Sequence, residues 1–176
     1  MAKLFNYKTD IPLGSQYGDY DSKIVASSQQ WEKYYARDGK LNSPTSWCPA
    51  DADKNNHPWI QVSFPEEKYM TSVTLQGRKD KVSGNQYVTK FRILYSKDGQ
   101  NFEHLEEFKG LNDVDQTVKY WFSIPIKCIA IRLQVLEYNV YPSLRFEFGY
   151  VPDYIMEAKI KEKNMNYEKT PQWIEK

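Results

Sequence analysis

A chain of 176 residues suits one domain of ordinary size with tails, and it is long enough to bury a core without disulfide staples. With 24 basic against 23 acidic residues the net charge is +1, which excludes nucleic-acid binding through an overall basic field and leaves electrostatic recognition to local patches. Aromatic residues make up 15% of the chain, with 14 Tyr and 5 Trp, a composition that suits a β-rich protein.

Residues 1–10, MAKLFNYKTD, read as a short polar arm anchored only by Leu4 and Phe5. They hold no apolar run long enough for a signal peptide, and nothing later approaches the roughly 20 apolar residues of a membrane helix. A cytoplasmic location is therefore expected. SPTSWCPADADKNNHP (43–58) is rich in Pro, Asn, Asp and Ser and reads as a connection. WIQVSF then alternates, with Ile60, Val62 and Phe64 facing inward, and the chain turns through Pro65. VTLQG ends a strand at Gly77, and RKDKVSGNQ (78–86) has no periodicity and reads as a projecting loop carrying Arg78, Lys79 and Lys81.

In YVTKFRILYS strict alternation puts Tyr87, Thr89, Phe91, Ile93 and Tyr95 on one face and Val88, Lys90, Arg92 and Leu94 on the other. Asp98-Gly99 tolerates the positive φ of a tight hairpin, so the chain returns through Phe102 to Phe108. GLNDVDQT is a further polar loop. KYWFSIPIKCIAIRLQVLEY gives two strands broken at Pro125, with Ile129, Ile131, Leu133 and Val135 on one face of the second. Leu144, Phe146 and Phe148 oppose Arg145 and Glu147 on the last strand, the latter two reading as a structural pair. Many short strands without a helical period imply a sandwich or barrel. Only the tail, 151–176, has a helix signal, from Pro152-Asp153 to about Asn164; Ile155, Met156 and Ile160 give a ragged apolar stripe, and Trp173-Ile174 follows.

Catalytic patterns are missing: His57 and His104 have no second His at ligand spacing, and no nucleophile elbow, paired Cys-x-x-Cys or phosphate-cradling glycine loop occurs. Cys48 and Cys128 read as reduced, buried thiols. Asp113 and Asp115 read as turn chemistry.

The stretch VTLQGRKDKVSGNQYVTKFRILYSKDGQNF resembles the middle of a discoidin domain, also called the coagulation factor 5/8 type C domain. IVASSQQ, ARDGKLNSPTSWCP and HPWIQVSF precede it in the family's order, and FKGLNDVDQTVKYWFSIPIKCIAIRLQ and SLRFEFG follow. The resemblance covers roughly residues 11–150. It implies an all-β jelly-roll sandwich or barrel, here with an N-terminal arm (1–10) and a partly helical C-terminal tail (151–176). Three loops, or spikes, would project from one end. Trp31, Tyr34 and Tyr35 would lie on the first, Arg78, Lys79 and Lys81 on the second, and Asn112 and Asp113 on the third. Trp31 has the alternative of packing on the barrel rim, and Trp47 and Trp59 take positions that the family uses for packing.

Extracellular members tie their ends with a disulfide, and TDIPLGS and FGYV contain no Cys, which favours an intracellular type. The expected function is a non-catalytic binding module: first, a scaffold subunit of a multi-protein assembly, including ciliary or cytoskeletal ones, with the tail residues Ile155, Met156, Ile160, Trp173 and Ile174 as a docking segment. The alternatives are a lectin that uses the spikes and, third, anionic-membrane binding. No cofactor is expected, apart from a calcium ion that some sugar-binding relatives hold through loop oxygens, for which Asp113 and Asp115, or Asp51 and Asp53, are the candidates.

Overall fold

The computed structural model describes residues 10–13, 23–31, 34–80 and 84–168, and the side chains of these up to 164. Seven strands and one helix follow in order: β1 (Ile11–Pro12), β2 (Ile24–Ala26), β3 (Trp59–Gln76), β4 (Tyr87–Ser96), β5 (Glu103–Lys109), β6 (Thr117–Asn139), β7 (Arg145–Val151) and α1 (Asp153–Glu168). All the strand pairs are antiparallel, in the order β1-β7-β3-β6-β4-β5 with β2 on the other half of β3.

The two long strands make one sheet into two layers. The first half of β3 pairs with β2 and with the second half of β6, whereas its second half pairs with β7 and with the first half of β6. Their shared ladder is interrupted between Ser63 and Lys68 and again between Met70 and Ser72. Bulges bend the strands they interrupt, so both strands turn from one layer to the other at the same end of the molecule. Pro65 and Pro125 fall in these irregular stretches, where a missing N–H removes no ladder bond. The break expected at Pro125 is thus a bend within a single 23-residue strand.

Between the layers lie Trp47, Ile60, Val62, Leu75, Phe91, Ile93, Leu133, Phe146 and Phe148, each at most 1% exposed. Burying each large apolar side chain contributes about 1.5–3 kcal/mol. Ile60, Val62 and Phe64 face inward as alternation predicts. β4 departs from strict alternation: Val88 is fully buried, as are Phe91 and Ile93. Register shifts against β6 on both sides of Lys90 add the residue that reverses the faces.

The β4–β5 reversal is longer than a two-residue turn and is held by one side chain. Asp98 Oδ1 accepts bonds from Ser96 Oγ at 2.9 Å and from the N–H groups of Gln100 and Asn101 at 2.8 Å, and its Oδ2 accepts from Asn101 Nδ2 at 2.7 Å. The Asn101 backbone bond first, then its side chain and the Gln100 N–H, hold the Asp98 carboxyl well below the usual carboxylate range. Gly99 takes φ of +79°, as the dipeptide signal requires.

At the end where the long strands bend, the chain termini of the sandwich meet. Ile11 and Pro12 pair with Tyr150 and Gly149. Just before them, the Asp10 carboxylate, 5% exposed, accepts from Ser72 Oγ and Lys119 Nζ at 2.5 Å each. A side chain on Gly149 would run into Asp10 and Ser72, so this position has room only for glycine. The clasp is noncovalent, and both cysteines are buried free thiols; burial pushes the Cys128 thiol up to about 12.

The tail is ordered further than expected. α1 runs to Glu168, and Met156, fully buried, and Ile155 pack with Val151, Tyr69 and Trp121 on the outer side of the β3/β6 layer. Lys127 Nζ bonds Asp153 at 2.7 Å and secures the first turn. Two of the expected docking residues are therefore used inside the fold. Ile160 is 36% exposed, and Trp173 and Ile174 lie outside the described residues.

Candidate binding site

The loops 27–58, 77–86, 110–116 and 140–144 meet at the opposite end from the bends, because β3 and β6 each begin and finish there. The second loop is pinned to the third at Gly77, where a Cβ would strike Val114. Gln76 joins the first and third, donating to Asn42 Oδ1 at 3.0 Å and to Thr117 Oγ1 at 2.9 Å. Arg145 was expected to pair with Glu147; instead it donates to the carbonyls of Gly77 at 2.8 Å and Ser43 at 3.3 Å.

The centre of this end is Arg78. The sequence places Arg78 on a projecting loop as a candidate ligand contact, and the structure draws it into the protein: Arg78 is 4% exposed. Its Nε and Nη2 form a fork on Asp80 at 2.5 and 3.0 Å, Nη2 also donates to Tyr34 Oη at 2.6 Å, and Nη1 donates to Gln86 Oε1 at 3.0 Å. The guanidinium also lies 4.5 Å from the centre of the Tyr34 ring. Burial is the largest single influence and works against this charge, but the Asp80 hydrogen bond together with the electrostatic attraction of Cys48, Asp80 and Tyr34 outweighs it and raises the Arg78 pKa above its ordinary value. Ser143 Oγ also donates to Gln86 at 2.7 Å and lies 3.0 Å from Cys48 Sγ. Burial pushes the Cys48 thiol up, so it stays neutral beside the arginine.

Around this polar plug the spikes differ. Trp31 is 80% exposed at a positive φ of 51°, beside a bridge between Gln30 and Tyr34. It projects into water, and the rim-packing alternative does not hold. Tyr34 is half-buried, and Tyr35 is covered by Arg37 at 4.7 Å. Lys79 is exposed, whereas Lys81 lies outside the described residues. Asn112 and Asp113 are exposed on the third loop, where Asp113 Oδ1 accepts the Asp115 N–H at 2.8 Å, a turn bond. Asp53 accepts from Ser27 and Ser28, and Asp51 from Tyr141 and, at 3.7 Å, Lys54. Among the described residues no three His, Cys, Asp or Glu side chains gather as a metal site. The structure thus brings Tyr34 and Arg78 together, with Trp31 in the short turn closed by the Gln30–Tyr34 bridge. Sequence reading missed Asp80, Gln86 and Cys48; the Arg-x-Asp spacing was the one visible signal.

The F5/8 type C domain family matches residues 23–148. Coagulation factor V of Bos taurus is 30% identical over 155 residues, which cover 78% of this chain and 7% of that protein; lactadherin of Bos taurus is 34% identical over 104 residues, 54% of this chain and 24% of that one. The chain therefore spans only a small part of these relatives. Among solved structures, discoidin II from Dictyostelium discoideum superposes with a TM-score of 0.70 at 22% identity, over 82% of this chain and 59% of that one. The family 32 carbohydrate-binding module of Clostridium perfringens NanJ, solved with galactose, does so with 0.62 at 16% identity, over 80% and 99%. With more than half of its length matched, the chain belongs to the F5/8 type C domain family.

Proposed function

We propose that the chain is a non-catalytic module that binds a neutral glycan on its loop end, with Trp31 as the stacking platform and the Tyr34–Arg78–Asp80 plug as the fixed floor. The observation that carries this reading is an indole 80% exposed in the same short turn as Tyr34, whose hydroxyl is fixed by Arg78. Sugars present apolar ring faces and directional hydroxyls, and an aromatic face beside preset hydrogen-bonding groups suits both. Arg78 has its charge met by Asp80, which disfavours an anionic ligand at this end. Domains of this family are generally binding modules, and structural neighbours include modules solved with galactose and with GalNAc-β-1,3-galactose and one named as chitosan-binding.

The test is calorimetric titration with galactose, GalNAc-β-1,3-galactose and N-acetylglucosamine oligomers. Saturable binding is expected, weakened at least about tenfold in Trp31→Ala, since aromatic contacts of this kind contribute on the order of 1 kcal/mol or more. The same variant should unfold within about 0.5 kcal/mol of wild type. No saturable binding to any of these sugars would reject the glycan reading.

A scaffold subunit in a cytoplasmic or ciliary assembly is the second reading. It draws on α1, on which Tyr154 is 74% exposed and Ile160, further along the helix, is 36% exposed. Co-purification of a stoichiometric partner that Tyr154→Asp releases and Trp31→Ala retains would favour it.

A further inference from the structure

The layer formed by β2, the first half of β3, the second half of β6, β4 and β5 has an outer face that, among the described residues, no other element uses as a core. Trp59, Gln61, Arg132, Gln134 and Arg92 point to it, because their neighbours Ile60, Val62, Ile131, Leu133, Phe91 and Ile93 point inward. Trp59 was expected in the core; it is half-buried here, with its ring under a guanidinium.

Arg132 lies between two aromatic rings, 3.8 Å from the centre of Trp59 and 3.8 Å from that of Phe102. Its Nε and Nη2 donate to Gln61 Oε1 at 3.1 and 2.8 Å, and Gln61 is 7% exposed. Arg92 is arranged in the same way: its Nε donates to Gln134 Oε1 at 2.6 Å, and Gln134 is anchored by donating to the carbonyl of His57 at 2.9 Å. Arg132 sits opposite Leu94, and Gln134 opposite Arg92, so the two arginines are diagonal neighbours about 7–8 Å apart. Both are half-buried. Among the described residues, neither forms an ion pair: Glu107, directly opposite Arg92 on β5, is drawn to Lys90 at 3.5 Å, and Glu103 accepts from Tyr95.

Two partly desolvated like charges carried by diagonal positions of neighbouring strands repel each other, and a carboxylate at either glutamine position would relieve them. Amides instead fix the guanidinium planes and leave the charge unneutralised. We infer that this face is a second binding site, separate from the loop end, which takes an oxyanion (a carboxylate, sulfate or phosphate group) on the Nη1–Nη2 edges of Arg132 and Arg92, the edges that their glutamines leave open. Planar guanidiniums match such groups in bidentate fashion. Burial holds the Arg132 pKa below its ordinary value, in keeping with a cation that lacks a counter-charge.

The test follows the arginine side-chain N–H signals by NMR while the full chain is titrated with sodium sulfate, sodium phosphate and sodium acetate, with sodium chloride at matched ionic strength as the control. Saturable shifts at Arg132 and Arg92 are expected with at least one oxyanion and not with chloride. Arg132→Lys keeps the charge but loses the fork, and should bind at least about tenfold more weakly. Gln61→Glu supplies an internal carboxylate without removing a packed group, and should suppress binding as strongly. Trp31→Ala should leave it unchanged. Shifts equal to those with chloride, undiminished binding in Gln61→Glu or Arg132→Lys, or loss in Trp31→Ala would each overturn the inference.

Discussion

Arg78 and Arg132 are both drawn out of water by the same sandwich, one among the loops at its end and the other on the face of a sheet, and they keep their charge by different means. Arg78 meets a carboxylate, a phenol and an amide, and has nothing left to offer. Arg132 meets two ring faces and one amide oxygen. Rings attract a cation without neutralising it, whereas a carboxylate does both. A buried arginine is thus no measure of a site by itself. What surrounds it decides whether it serves as a brace within the protein or as a contact for something else.

The largest effect should come from breaking the brace. Arg78→Ala leaves Asp80 without its fork and Gln86 with only the Ser143 hydroxyl as donor, and should lower stability by about 3 kcal/mol, or roughly 6–12 °C in thermal unfolding for a chain of this size. A loss under about 1 kcal/mol would show that the plug is surface chemistry. The double variant Arg78→Met with Asp80→Asn removes both charges and should regain at least about 1 kcal/mol of that loss; a further loss would mean that the two residues do not act as a pair. Arg132→Leu should cost about 1–2 kcal/mol in urea unfolding, because it loses the cation–π contacts and the two bonds to Gln61 Oε1 but leaves no buried charge unpaired, and the leucine packs between the rings. A cost comparable with that of Arg78→Ala would erase the distinction between the two arginines.

The smallest effect concerns an exposed charge. Asp98 is held below the ordinary carboxylate range in the folded protein. Its contribution is therefore present above the unfolded value of about 4 and is lost as the pH falls further. Comparing urea midpoints of wild type and Asp98→Asn between pH 7 and pH 2 should show a gap that closes below about pH 4. A gap independent of pH would assign the reversal to geometry alone.

Much of the architecture is legible in the chain. Alternation in WIQVSF and the Asp98-Gly99 reversal are local patterns, and local patterns survive folding. The faces of β4 were not legible, because its bulges are defined by pairing with β6, a strand that starts about 20 residues after β4 ends. Arg78 was misread for the same reason: its burial depends on Tyr34 and Gln86, which loop closure brings to it. Trp59 resembled a core residue by type, yet only the register against β6 sets Arg132 above it. Asp10 gave no signal at all, since an acid before a two-residue strand means nothing until Ser72, Lys119 and Gly149 surround it. Sequence reports the periodic parts of a β-sandwich well and its long-range polar closures poorly.

The clasp at the bent end also fixes how the domain bears load. Residues 10 and 152 leave the sheet side by side from β1 and β7, which run antiparallel. Tension applied between them opens that pair one hydrogen bond at a time, as a zipper does, and does not shear a whole ladder at once. The force path passes through Asp10 and ends there, far from Trp31 and Arg78. A pull on the two ends therefore frees β1 first and leaves the loop end at rest, its geometry unchanged by strain on the chain that holds it.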